Sequence, residues 1–226
     1  MPANVELYRQ LMAELEPQAV QLVAVSKTKP IEDIQALYDL GHRDFGENYV
    51  QELGAKADVL PKDIRWHFIG HLQTNKVKYI APFVHLIHGV DSFKLLQEID
   101  KQGAKNARTI QVLLQVHIAQ EETKFGFSEE ELQNLLVHPE LQRLNHISIQ
   151  GLMGMASFTN DENLIRQEFQ TLKQLFDTYA QGSTAYAQLS ILSMGMSADY
   201  RLAVAAGSTL VRIGSALFGA RTGPMA

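Results

Sequence analysis

The sequence predicts an α/β fold, a single-domain TIM (β/α)8 barrel, and three observations predict it. Short apolar runs alternate with longer segments of helical period along the chain. Most of the short runs are apolar at successive positions, the pattern of parallel strands buried on both faces. The alternation counts to eight strands and about seven well-marked helices within 226 residues, the size of one closed barrel. An open doubly wound sheet is the competing arrangement.

The first strand is read at Leu22–Val25, ending in Ser26–Lys27. Pro30 opens a helix whose Ile31, Ile34, Leu37 and Tyr38 share one face, and Gly41 closes it. A second strand ends in Phe45–Gly46–Glu47–Asn48. The third is Arg65–Ile69, followed by a helix through Lys76–Tyr79. The fourth lies at His85–Val90, with Ser92 placed to cap the helix that carries Phe93, Leu96 and Ile99. The fifth falls within Ile110–Ile118, and Ser128 with Glu131 forms a capping-box pattern after it. The sixth ends in Gly151–Met155, and its helix shows the stripe Ile165, Phe169, Leu172, Phe176 and Tyr179. The seventh is read at Leu189–Leu192 and the eighth at Leu210–Ile213. A short, loosely held tail is expected after Gly219.

Composition excludes several functions. The formal net charge of −5 and the lack of a basic stripe argue against nucleic-acid binding. No apolar run reaches eighteen residues, and the N-terminus has no export signal, so a cytoplasmic protein without membrane spans is expected. With no cysteine there is no thiolate nucleophile and no Cys-based zinc site.

In a barrel, functional side chains gather where strands end. Lys27 follows the first strand directly. Only about one free lysine in a few thousand is neutral at pH 7, so amine chemistry needs its proton affinity lowered by burial or a neighbouring cation. Lys29 shares its face on an extended segment, and spacing alone does not choose between them. The plain alternative is a solvated loop lysine. Two Gly/Ser turns, Ser193–Ser197 after the seventh strand and Arg212–Ala216 at the eighth, sit where barrels commonly bind phosphate. Gly214 and Ser215 could open a short helix whose free N–H groups face an anion. Arg212 lies inside the last strand, where an inward cation needs an acceptor: a ligand's ring nitrogen or an internal salt bridge. His67 and His71 stand four apart, but on a strand and turn rather than a helix, so they suit pocket shaping better than metal. No Gly-x-Ser-x-Gly elbow and no nucleotide-binding P-loop is present.

Five strings carry a family resemblance: Val23–Pro30 (VAVSKTKP), Phe45–Glu52 (FGENYVQE), Trp66–Lys76 (WHFIGHLQTNK), Ser193–Asp199 (SMGMSAD) and Val211–Gly219 (VRIGSALFG). In this order they resemble the pyridoxal phosphate homeostasis proteins, relatives of the N-terminal barrel of alanine racemase. The resemblance implies pyridoxal 5′-phosphate as cofactor, held as a Schiff base on Lys27 rather than Lys29. It implies that Ser193, Gly214 and Ser215 hold the phosphate, with Met196 and Ser197 beside it. It places Asn48 near the ring and Arg212 near the pyridine nitrogen. The tail Gly219–Ala226 departs from the tyrosine-rich endings of other members.

Two functions follow from that kinship. One is an amino-acid racemase using Lys27 as one acid/base. Its second base would come from a separate β-domain, for which the chain has no sequence after its eighth strand. The other, preferred, is non-catalytic buffering or delivery of the cofactor in vitamin B6 and amino/keto-acid homeostasis. Apo-enzyme acceptors or a regulatory protein are the partners it implies, and a monomer is expected.

Overall fold

The computed structural model describes residues 3–121, 125–181 and 187–219, and the C-terminal tail beyond Gly219 lies outside them. Eight parallel strands close into a barrel in chain order: β1 (Gln21–Val25), β2 (Asp44–Glu47), β3 (Arg65–Phe68), β4 (Leu86–Val90), β5 (Ile110–Gln115), β6 (Ile147–Met153), β7 (Ala187–Met196) and β8 (Leu210–Ile213). β1 pairs with β8 through Val23 and Arg212 and with β2 through Ala24 and Phe45, which closes the ring. The open doubly wound alternative is excluded.

The helices cover the outside: α1 (Val5–Leu15), α2 (Ile31–Asp39), α3 (Val50–Val59), α4 (Val77–Ile80), α5 (Phe93–Lys105), α6 (Glu129–Leu136), α7 (Glu162–Gln181), α8 (Tyr200–Ala205) and α9 (Ser215–Phe218). Local chemistry fixes their starts. Ser92 accepts from the Leu95 N–H, and Ser128 with Glu131 forms both bonds of a capping box. Gly41 takes φ +95° just past α2. Among the described residues no helix is long and apolar enough to cross a membrane.

Burial divides in two. A large cluster, including Leu37, Phe45, Leu53, Phe169 and Leu172, fills the space between strands and helices. A small second cluster of Val23, Leu86, Leu113, Met153 and Leu210 plugs the barrel interior. Gly46 leaves room for that plug, since a Cβ there would stand 2.9 Å from the Val23 side chain.

Strand limits differ from the sequence reading by one residue at β1 to β4, β5 lies within the stretch read for it, and β6 and β7 differ more. β5 stops at Gln115 because the next two residues turn to the loop, where His117 N–H donates to the Phe127 carbonyl. β6 stops at Met153, two residues early. β7 runs four residues past Leu192, so Ser193–Met196 belong to the strand and only Ser197 begins the turn. Ser193 reads as a strand breaker, but its hydroxyl is satisfied inside the barrel. The irregularity of Gly195, φ +95°, is absorbed as a register shift against β8. Two helices lie outside the segments read from the sequence: α1, which precedes the first strand, and α8, whose six residues are too short to show a period.

Candidate functional site

The C-terminal ends of the strands open into a cleft of about 460 Å³. Seven of the eight residues singled out from sequence line it: Lys27, Asn48, Met196, Ser197, Arg212, Gly214 and Ser215. Ser193 does not; it is fully buried, bonded to Arg212. The lining residues include three cations, Lys27, Lys29 and Arg212, and no carboxylate.

Lys27 sits in a tight turn at the end of β1. The Lys29 N–H donates to the Ser26 carbonyl at 3.1 Å, and Thr28 has φ +61°, a costly conformation for a β-branched residue. A buried charge network holds that turn. Glu52 accepts the Thr28 N–H at 2.6 Å. Lys56 Nζ donates to Glu52, to Glu47 and to the Ser26 carbonyl, all within 2.8 Å. Ser26 Oγ donates to Glu47 Oε1 at 2.6 Å. Burial pushes the Glu47 carboxyl above its ordinary range, opposed by Lys56. The Phe45–Glu52 string therefore holds the lysine turn from the neighbouring strand and helix. Sequence reasoning named none of Glu47, Glu52 and Lys56 for this role; Glu52 in the first turn of α3 with Lys56 one turn later, just after Glu47 at the end of β2, was the available signal.

The rival amine is engaged elsewhere. Lys29 Nζ donates to the carbonyls of Phe218 at 2.7 Å and Gly219 at 3.1 Å, at the end of α9. Asn48 is set by a close approach: a Cβ on Gly70 would lie 2.4 Å from the Asn48 carbonyl oxygen. The side-chain Oδ1 of Asn48 is buried and accepts no hydrogen bond.

The two Gly/Ser turns meet. The Gly214 N–H donates to Ser197 Oγ at 3.3 Å, which joins the end of β7 to the start of α9. Gly214 rests on β1, since a Cβ there would stand 3.1 Å from Val25. Ser215 opens α9, so its N–H has no intrahelical acceptor.

Arg212 forms the inner wall of the cleft. Its Nη1 donates to the Ser193 carbonyl at 2.9 Å and to Ser193 Oγ at 2.5 Å, and its Nη2 to the Gly154 carbonyl at 3.1 Å. Burial pulls the guanidinium down to about 10, opposed by Asp199, so it stays a cation at neutral pH. The two histidines of the third string part company. His67 is buried in the barrel, while His71 lies at the rim, 3.1 Å from Asp91 and stacked on Phe125. Among the described residues no group of three His, Cys, Asp or Glu side chains could hold a metal ion.

Buried histidines give the fold a pH dependence. Burial pulls His85 down to about 4 and His42 and His88 below the ordinary imidazole range. Below pH 6.5 the unfolded chain therefore binds more protons than the folded one, and stability falls as pH drops toward 4. Asp44, held well below the carboxylate range chiefly by hydrogen bonds from Arg65 and His67 against its burial, adds to the fall below pH 4; Glu47 opposes it. Melting followed from pH 7 to 5 should show a declining Tm, with a shallower decline in His85→Gln. A flat or rising Tm contradicts the assignment.

The closed barrel, with a lysine after β1 and a Gly/Ser turn after β8, defines the racemase-type barrel class. The family described as "Alanine racemase, N-terminal domain" matches residues 2–222. The chain belongs to the pyridoxal phosphate homeostasis proteins within it. The relative from Vibrio alginolyticus is 40% identical over 210 residues, 91% of this chain and 88% of its own. The solved structure of PipY from Synechococcus elongatus with PLP bound has a TM-score of 0.85 and 36% identity, covering 95% of this chain and 99% of PipY. Alanine racemase from Bartonella henselae, with covalently bound pyridoxal phosphate, has a TM-score of 0.72 at 20% identity. It covers 96% of this chain and 59% of the racemase, and shows the fold alone.

Proposed function

We propose that the cleft binds pyridoxal 5′-phosphate covalently through Lys27, and that the protein buffers or delivers this cofactor without a reaction of its own. One observation carries the reading: seven residues from four separate strings line one cation-rich cleft, in a chain of the homeostasis family. The residues fit the group. The unpartnered Asn48 Oδ1 is an acceptor ready for a ring hydroxyl, and a lining with lysine and arginine but no carboxylate suits an anionic ligand.

When bound, the cofactor supplies an aldehyde that forms a Schiff base with a neutral primary amine. Lys27 presents that amine from a turn whose geometry Glu52 and Lys56 hold. The Ser197 hydroxyl, already accepting from Gly214, keeps its own proton for an anion, beside the Ser215 N–H. Met196 would pack beside the phosphate. Arg212, a cation at neutral pH, would face the ring nitrogen and keep a proton off it, with Ser193 bonded to its guanidinium. Such a site holds the cofactor but gives a weak electron sink, which suits storage better than catalysis. Homeostasis proteins match this chain over most of both lengths.

The proposal extends to a single-domain cytoplasmic monomer, whose partners are the cofactor and an apo-enzyme acceptor or regulatory protein. All eight strands share one sheet, which supports the single domain. Loaded protein mixed with an apo-enzyme should restore that enzyme's activity while losing its own colour. Steady conversion of a free L-amino acid to its enantiomer, abolished by Lys27→Ala, would overturn the non-catalytic reading; sedimentation at twice the chain mass would overturn the monomer.

A further inference from the structure

A line of buried polar side chains crosses the barrel from its floor to the cleft. Arg65 and Asp44 stand at the starts of β3 and β2, paired by two hydrogen bonds of 2.7 and 2.5 Å. Asp44 Oδ1 lies 3.0 Å from His67 Nε2, and His67 Nδ1 lies 2.9 Å from His88 Nε2. His88 Nδ1 lies 3.1 Å from Ser193 Oγ, which receives Arg212 Nη1 at the cleft wall. Asp44, His67, His88, Ser193 and Arg212 are all buried. Replacing buried ionic groups with apolar ones of similar volume is often neutral or stabilising, so stability alone does not account for the line.

Counting protons gives each link a direction. The Asp44 carboxylate only accepts, so His67 Nε2 carries a proton and donates to it. With one proton on each imidazole, His67 Nδ1 accepts and His88 Nε2 donates. His88 Nδ1 is then bare and accepts the Ser193 hydroxyl proton. Ser193 Oγ turns its lone pairs to Arg212. From Arg212 down to Asp44 every donor points from cleft to floor, and Arg65 closes the floor end by donating to Asp44, whose Oδ1 accepts from both Arg65 and His67.

We infer that Asp44, His67, His88 and Ser193 are positioning residues that fix the Arg212 guanidinium at the cleft wall, with Asp44 setting the hydrogen-bond direction of the whole line from the far end of the barrel. The inference rests on the proposed placement of the cofactor ring against Arg212. Its ligand is the aromatic nitrogen heterocycle of that cofactor, and none of the first three residues lines the cleft. Their influence would pass only through Ser193 and Arg212.

The test uses the loaded protein, reading the absorption band of the bound cofactor, its retention on dialysis and Tm. Asp44→Asn, which keeps the side-chain shape, and His88→Leu should remain covalently loaded, shift the band and weaken retention on the order of tenfold. His88→Asn, which restores an acceptor to Ser193, should move both readings back toward wild type. If Asp44→Asn and His88→Leu lower Tm but leave band and retention unchanged, the line is structural only and the inference is wrong. Asp44→Asn decides the matter if His88→Leu does not fold. Arg212→Lys separates the two readings: it should shift the band, and a wild-type protein without a bound chromophore would sink the cofactor proposal itself.

Discussion

Lys27→Ala is expected to abolish covalent cofactor loading, leaving a colourless protein after dialysis, while Lys29→Ala stays coloured. The two lysines are two residues apart and line the same cleft, so proximity does not separate them. Their surroundings do. Lys29 Nζ donates to two carbonyls at the end of α9, so withdrawing it for covalent chemistry would break both bonds. Lys27 follows Val23 and Val25 on the inward-facing register of β1, which carries its side chain to the cleft. The Thr28 conformation, held by Glu52, fixes where the chain turns away. Absorbance and mass of the two dialysed variants provide the check. Full loading in Lys27→Ala would mean that another amine carries the cofactor.

Lys56→Ala is expected to destabilise the fold by about 3–5 kcal/mol, because it strands the fully buried Glu47 without its cation. For a chain of this size that is on the order of 10 °C in Tm. The ammonium also holds Glu52, and through it the Thr28 N–H, so loading at Lys27 should fall as well. The double change Glu47→Gln with Lys56→Met removes both charges together and should recover most of the lost stability. Urea unfolding of the three variants would show this order. A single variant as stable as wild type would mean that Glu47 is protonated and needs no partner.

The barrel was legible because its local signals agree. β8 at Leu210–Ile213 has the limits read from sequence, since Gly207 and Gly214 bracket a short apolar run. Ser92 and the Ser128–Glu131 pair mark helix starts by side-chain chemistry alone. β7 was cut short because Ser193 and Gly195 look like loop residues until the interior partner of the hydroxyl is known. The cleft wall was legible for the same reason as the strands, because function in a barrel sits at strand ends. The supporting groups were not. Asp44, His67, His88 and Ser193 come from four strands up to 149 positions apart, joined only by closure of the sheet. Glu47 and Lys56 look like an ordinary strand-end acid and a solvated helix lysine, and only burial shows them to be a pair.

The most direct measurement is borohydride reduction of the loaded protein, followed by proteolysis and mass mapping of the added group. The mass is predicted on the peptide that contains Lys27, at one equivalent per chain. A reduced adduct on Lys29, or spread over surface lysines with none at Lys27, would contradict the account.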